Sequence, residues 1–385
     1  MAHGDSADNG NGKGVPWVRG RGLERLLAQE TNISDLIQFI SDLDPSPWRD
    51  AVGFIPDTVT REALKSDNKA DLRLTSISRN AVIEIKLGHL MSEEQQRAYE
   101  ALDPRPDLHL AALASDEVRL PSDSDCWRFL SLSDLIGTWE RSSSELARLL
   151  AAEAARVLRS WDTTLAGVFS DRSSDQWAAM SILRHKFLAR VATRRIAFAL
   201  ATRGRMTWAD VTSGGGLAIV QAWAPIRGEG RDRCFIAEVR WWENKPGGEL
   251  RFGVDFDPRP GQDEDGEVRR ASYDLARSMD TVIDYSSLRA HLTTERPELA
   301  ELLRRDKPSR PEAKGDWEQV MIRGFKDSPL LDGSVNNRRR TRPNFYGDGT
   351  CRHEAIAEID FGKASALDLV ELIDVTLDYL NARQP

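Results

Sequence analysis

The sequence predicts an α/β protein of two domains, and three observations carry that expectation. At 385 residues the chain exceeds one ordinary domain. Residues 22–142 run helix, strand hairpin, helix, strand, strand, helix, an α-β-β-β-α-β core once a first strand is added. Residues 217–256 hold three apolar strand-like runs separated by turns containing Gly228, Gly230, Pro246, Gly247 and Gly248, the pattern of an antiparallel meander. The expected division is a disordered tail over 1–21, a first domain over 22–142 and an α+β C-terminal domain over 143–385.

In the first domain, residues 23–43 read as one helical region containing Glu30, and the first strand falls among Val52–Ile55 or at Val59. Residues 69–74 and 81–86 are strands joined by turn-compatible Ser78, Arg79 and Asn80. Side chains alternate faces along a strand, so Asp71 shares a face with Arg73, and Glu84 shares one with Lys86. A reversal near Ser78 sets Asp71 opposite Glu84 or Lys86, with cross-strand Cβ atoms about 5 Å apart. Ser92 is the expected N-cap of the next helix, with Gln95 at N3 completing a capping box and Tyr99 one turn further on the same face. Residues 108–114 and 127–132 are apolar strands, and Ser133 is expected to cap a helix over 134–139.

The second domain is read as a linking helix over 145–161, a basic helix over 176–200, the three meander strands, helices over 268–282 and 297–305, a strand over 354–361 and a closing helix over 364–382. Lys186, Arg190 and Arg194 stand at four-residue steps and line one helix face. Arg338, Arg339, Arg340 and Arg342 crowd a second basic segment. Both patches suit phosphate contacts; the alternatives are a solvated helix face for the first and a surface loop for the second. Adjacent Trp241 and Trp242 point to opposite faces, one to the core and one to the surface; His353 reads as an ordinary strand-entry residue. Gly214–Gly216 is followed by no lysine and helix, so it is not a phosphate loop.

Two carboxylates held close repel unless a cation lies between them, and oxygen ligands of this kind suit Mg²⁺ or Mn²⁺. Asp71 on one strand, Glu84-x-Lys86 on the next, a helical glutamate upstream and Gln95-x-x-x-Tyr99 downstream resemble the PD-(D/E)XK nuclease superfamily, the restriction-endonuclease-like fold, over about residues 22–140. The resemblance implies that Asp71 and Glu84, with the Ile85 carbonyl, ligate the metal, and that Lys86 orients the attacking water. Glu30, with Glu24 as the alternative, is its match for the added helical acid, while Gln95 and Tyr99 order the site or contact a phosphate. No proline precedes Asp71; Ala70 stands there. The implied activity is metal-dependent cleavage of nucleic acid, DNA in the first place, in bacterial defence or DNA processing. The competing class is a nuclease-fold protein that binds or regulates without cutting.

Net charge is −8, with a pI of about 5.5, which speaks against a non-specific nucleic-acid coat but leaves room for local basic surface. A hydrophobic fraction of 40% and mean hydropathy of −0.47 fit a globular protein, and no run has the length of a membrane span. Cys126, Cys234 and Cys351 are far apart and form neither a zinc pattern nor a disulfide framework, so a reducing cytoplasm is the expected location. Besides nucleic acid, the expected partner is a second copy of the chain or another protein, met through the C-terminal domain.

Overall fold

A computed structural model describes residues 21–61, 70–88, 91–114, 116, 126–183, 186–211, 216–227, 233–242, 247–256, 267–306 and 351–385. It is mixed α/β and falls into two compact units, Met1–Leu87 with Met91–Ser160, and Gly88–Leu90 with Trp161–Pro385.

The first unit opens with α1 (Arg21–Leu27) and α2 (Glu30–Leu43). The single helix expected over 23–43 is therefore two. Gln29 is extended, and the Asn32 amide donates to the Leu26 carbonyl at 3.0 Å, satisfying a terminal acceptor of α1. The break matters because it makes Glu30 the first residue of α2. Ile33, Ile37 and Ile40, three and four residues apart, bury the inner face of α2.

Asp44 ends α2 and gathers the chain around it. Its Oδ1 accepts from the Ser46 amide (3.0 Å) and hydroxyl (2.6 Å). Its Oδ2 accepts from the Ser142 hydroxyl (2.7 Å), the Ser143 amide (3.0 Å) and the Ser143 hydroxyl (3.1 Å), and its carbonyl from Trp139 Nε1 at 2.8 Å. Burial opposes the charge on Asp44, but these donors outweigh it and hold the carboxyl well below the usual range. Trp48 opens α3 (Trp48–Val52) and meets Trp139 edge-on at 5.2 Å between centroids. Gly53, at φ 82°, closes α3 in the left-handed conformation. Residues 52–55 are thus a helix end, and the first strand lies at the second expected place, around Val59.

Five strands form one sheet in sequence order: β1 (Thr58–Arg61), β2 (Leu72–Thr75), β3 (Asn80–Lys86), β4 (Asp107–Ala112) and β5 (Trp127–Ser131). β1, β2 and β3 pair antiparallel; β4 runs parallel to β3 and β5 parallel to β4. The parallel step is made through α4 (Glu93–Glu100), whose N-cap Ser92 accepts from the Gln95 amide at 3.1 Å. β3 is central and buried from Ala81 to Ile85. Its Val82 packs with Leu108, Leu110, Trp127 and Tyr99 of α4. α5 (Leu132–Gly137) follows β5 directly, capped by Ser131 rather than Ser133, because the strand turns into the helix two residues sooner than expected. A 3-10 turn, Thr138–Arg141, then leads to α6 (Glu145–Val168), within which the boundary between the units falls.

On β4, His109 is 1% exposed and neither ring nitrogen has a hydrogen-bond partner. Burial, helped by the nearby Arg128 and Arg79 charges, pushes its imidazole down to about 4.

The second unit contains α7 (Lys186–Thr202) and a six-stranded antiparallel sheet. Its strands are β6 (Met206–Val211), β7 (Ala218–Pro225), β8 (Arg233–Trp241), β9 (Gly248–Phe256), β10 (Leu303–Asp306) and β11 (Cys351–Ile359), in the spatial order β10-β11-β9-β8-β7-β6. The expected meander is β7, β8 and β9. β6 escapes the sequence because Met206–Val211 alternates weakly, and β10 occupies part of a segment expected to be helical, after the short α10. Among the described residues, α8 (Glu267–Ser278), α9 (Tyr285–Glu295), α10 (Pro297–Ala300) and α11 (Ala366–Ala382) complete the unit. The helix expected over 176–200 starts only at Lys186, after a 3-10 turn at Met180–Ile182. Ser365 and Asp368 form a reciprocal capping box that starts α11.

The two faces of this sheet differ. One carries Ala222, Ala237, Phe252 and Ala355 in a row, all buried. The other carries charge. Fully buried Glu238 accepts from Arg352 Nη1 at 2.7 Å and bonds Gln221 and Arg240, while Arg352 also reaches Asp255 at 2.9 Å. Trp223 Nε1 donates to the same Asp255 at 2.7 Å. Glu238 and Asp255 are each paired with Arg352, as the cost of burying charge requires. Trp241 ends β8 in the core, at 6% exposed, while Trp242 lies just past the strand and is half-buried rather than a surface residue. His353 lies inside β11 and is fully buried, not a strand-entry residue.

Candidate active site

The antiparallel register of β2 and β3 pairs Leu72 with Ile83, so one step beyond the last paired residue Asp71 falls opposite Glu84. Asp71 is therefore not within the strand, as expected from sequence, but at its entrance; Lys69 lies outside the described residues. The position explains its principal bond. β2 has ended, and Asp71 Oδ2 accepts the Ile85 amide at 2.8 Å in place of a backbone partner. Two residues on, β3 itself has ended and Glu30 Oε1 accepts the Leu87 amide at 2.7 Å. Amides two residues apart point to the same edge of a strand. Asp71 and Glu30 thus follow one another along one edge of β3, while Glu84 and Lys86 project from its face. No side-chain pattern in the sequence announces the Leu87 amide as an anchor for Glu30.

Glu84 is 2% exposed and held from three directions. Lys86 Nζ forms an ion pair with Oε1. Gln95 Nε2 donates to the same oxygen at 2.5 Å, and Tyr99 OH to Oε2 at 2.8 Å. Gln95 Nε2 also approaches Tyr99 OH at 3.3 Å. The expected capping box does not form. The Gln95 side chain faces the sheet and serves Glu84, while its backbone amide alone takes the Ser92 cap.

The electrostatics follow from this crowding. Burial, then the Glu84 charge, pushes the Asp71 carboxyl up to about 7, against the Ile85 amide and Lys86, which favour its charged form. Burial alone would lower Lys86, but Glu84, with Glu30 and Asp71, holds its ammonium above the ordinary lysine range. Burial and the Glu84 charge raise the Tyr99 phenol, so it remains a donor. Replacing Tyr99 by Phe is expected to cost about 1–2 kcal/mol of unfolding free energy in a urea titration, because a buried carboxylate oxygen loses its donor.

Asp71, Glu84 and the Ile85 carbonyl are all-oxygen donors, the chemistry of a hard divalent cation, and the destabilised charge on Asp71 is one such an ion would relieve. Among the described residues, no three Asp, Glu, His or Cys side chains stand together as a ready-made coordination shell. The acids are instead held by the amide, ammonium and hydroxyl donors just described.

The basic residues fare differently. Arg190 and Arg194 lie on α7 of the second unit and are half-buried, with Arg190 Nε enclosed without a hydrogen-bond partner. Neither stands on a fully exposed basic face. Neighbouring Arg195 is 7% exposed and lies 5.7 Å from the Phe169 ring centroid. The Lys186 side chain and Arg338, Arg339, Arg340 and Arg342 lie outside the described residues.

Compared with protein-family models, curated proteins and solved structures, the chain finds no match. Among the described residues no helix is long and apolar enough to cross a membrane.

Proposed function

We propose that the first unit is a metal-dependent phosphodiester hydrolase of the PD-(D/E)XK type, acting on nucleic acid and on DNA in the first place. The observation that carries this reading is the register that sets Asp71 opposite Glu84, with Lys86 on Glu84 and Gln95 and Tyr99 behind it. The sheet order, with α4 crossing between β3 and β4, supports the restriction-endonuclease-like core expected from sequence.

Asp71 and Glu84, with the Ile85 carbonyl, would hold Mg²⁺ or Mn²⁺, and Glu30 would serve its water shell. Bound there, the ion supplies a more acidic water and a polarised phosphate. Lys86 presents a persistently charged ammonium, suited to orienting the water and to the negative charge that builds on the phosphoryl oxygens. Gln95 and Tyr99 fix the Glu84 rotamer, since each donates to one of its oxygens. The second unit is left as the binding or regulatory part, meeting nucleic acid, a partner protein or a second copy of the chain.

One observation favours a second reading, a binding module that does not cut: both Glu84 oxygens are already engaged by protein donors. Plasmid nicking and RNA cleavage assays across Mg²⁺ and Mn²⁺ concentrations separate the two. Active protein is expected to cleave only with metal, and Asp71→Ala and Lys86→Ala to lose about a thousandfold or more of that activity while remaining folded. Undiminished cleavage by both variants would sink the catalytic reading, and its absence from clean wild-type protein at every metal concentration would favour the binding module.

A further inference from the structure

Glu84 is the most heavily bonded acid of the site. An ionised carboxylate offers about four acceptor positions on its two oxygens. Lys86 Nζ and Gln95 Nε2 share Oε1, and Tyr99 OH takes Oε2. A hard cation seeks those same oxygens. The Lys86 side chain is 14% exposed, so its end is enclosed with the acid it neutralises.

We infer that Lys86 and Gln95 form a latch on Glu84 Oε1, so that a divalent cation reaches this oxygen only by displacing these donors. The inference rests on the metal-dependent reading above and adds to it an order of events. Besides Glu84, the nearby Glu30 carboxylate also acts on the Lys86 ammonium. An ion that takes over Glu84 Oε1 therefore moves the ammonium off Glu84 but leaves it in the site, beside Glu30. Lys86 is then available to an anion entering the site, which in a hydrolase of this kind is the phosphate. Gln95 belongs to the latch as a positioning residue: it is uncharged, and its amide competes for the same lone pairs without altering the charge of the site.

Calorimetric titration of the full-length protein with Mn²⁺ alone tests this without any measurement of activity. Lys86→Met is expected to bind Mn²⁺ about tenfold or more tighter than wild type, the equivalent of one charged hydrogen bond no longer opposing the ion. Gln95→Leu is expected to tighten binding by roughly threefold or more, at unchanged charge. Arg73→Met is the electrostatic control. Arg73 pairs with Val82, sharing the face of Asp71 and Glu84, so its loss removes a nearby positive charge without touching the latch. Circular dichroism verifies that each variant is folded. Equal or weaker binding by Lys86→Met and Gln95→Leu overturns the latch, as does a gain in Arg73→Met as large as that in Lys86→Met. If the folded wild-type protein and every variant bind no Mn²⁺, the metal-site reading itself falls, and the latch with it.

Discussion

Asp71→Asn is expected to be more stable than the wild-type protein at pH 8 without metal, and inert as a hydrolase. An unfolded carboxyl of this type ionises near 3.8, whereas in the folded protein burial and Glu84 keep Asp71 protonated to about pH 7. The raised folded value fixes the sign. Asp71 favours the folded state fully below pH 3.8, and that contribution is lost as pH rises through 7, because only the folded state must hold the charge in a crowded, buried place. Asparagine has the shape of the protonated acid and retains an oxygen for the Ile85 amide. The gain at pH 8 should reach about 2–4 kcal/mol and vanish near pH 4, in urea unfolding curves at both values. Saturating Mn²⁺ should stabilise the wild type and leave the variant nearly unmoved, because the variant lacks the anionic ligand. A variant less stable than wild type at pH 8 would show that Asp71 is a structural acid. A protein gaining stability and losing activity through one substitution is the signature of a group strained for chemistry.

Asp44→Ala is expected to have the largest structural effect, a loss of about 3 kcal/mol or more, with Asp44→Asn intermediate because one acceptor survives. The side chain joins the end of α2 to Ser46 and to the turn at Ser142 and Ser143, and removal orphans several of those donors at once. Its carboxyl is held low, so the sign is opposite to that of Asp71. The Asp44 contribution is present above pH 3.8 and is lost as pH falls below it. The wild-type advantage over Asp44→Ala should therefore shrink on acidification, as followed by the fluorescence of Trp48 and Trp139. A loss under 1 kcal/mol, or one independent of pH below 4, contradicts this account.

The contrast between these acids shows what the sequence makes legible. The juxtaposition of Asp71 with Glu84 and Lys86 could be expected because strand alternation is local and Ser78–Asn80 marks the reversal. Ser92 as a cap could be read for the same reason. The use of the Gln95 side chain could not, since its alternative partner, Glu84, lies on another element and tertiary packing decides between them. Asp44 attracted no attention because its donors come from residues nearly a hundred positions later. The split between α1 and α2 was hidden by continuous helix-compatible composition, and β10 by its position immediately after a short helix. The N-cap of α5 was misplaced by two residues because Ser131 and Ser133 offer the same chemistry, and only the end of β5 chooses between them.

The placement of Asp71 one step past the end of β2 has a consequence for motion. Glu84 rides on central β3, whose ladder with β2 reaches Ile83 and whose ladder with β4 continues through Glu84 to Lys86. Asp71 lies one step outside the β2 ladder, next to fully buried Ala70, and accepts the Ile85 amide through its side chain. Glu84 is thus held by backbone pairing to β4, whereas Asp71 sits just outside its own ladder, and the two are expected to differ in local opening. In amide exchange, Ile83 would rank with the slowest sites of the unit and Asp71 with the quick ones. The geometry of the pair is thus adjustable from one side only: the strand bearing Glu84 acts as the fixed jaw, and the approach of Asp71 sets the gap.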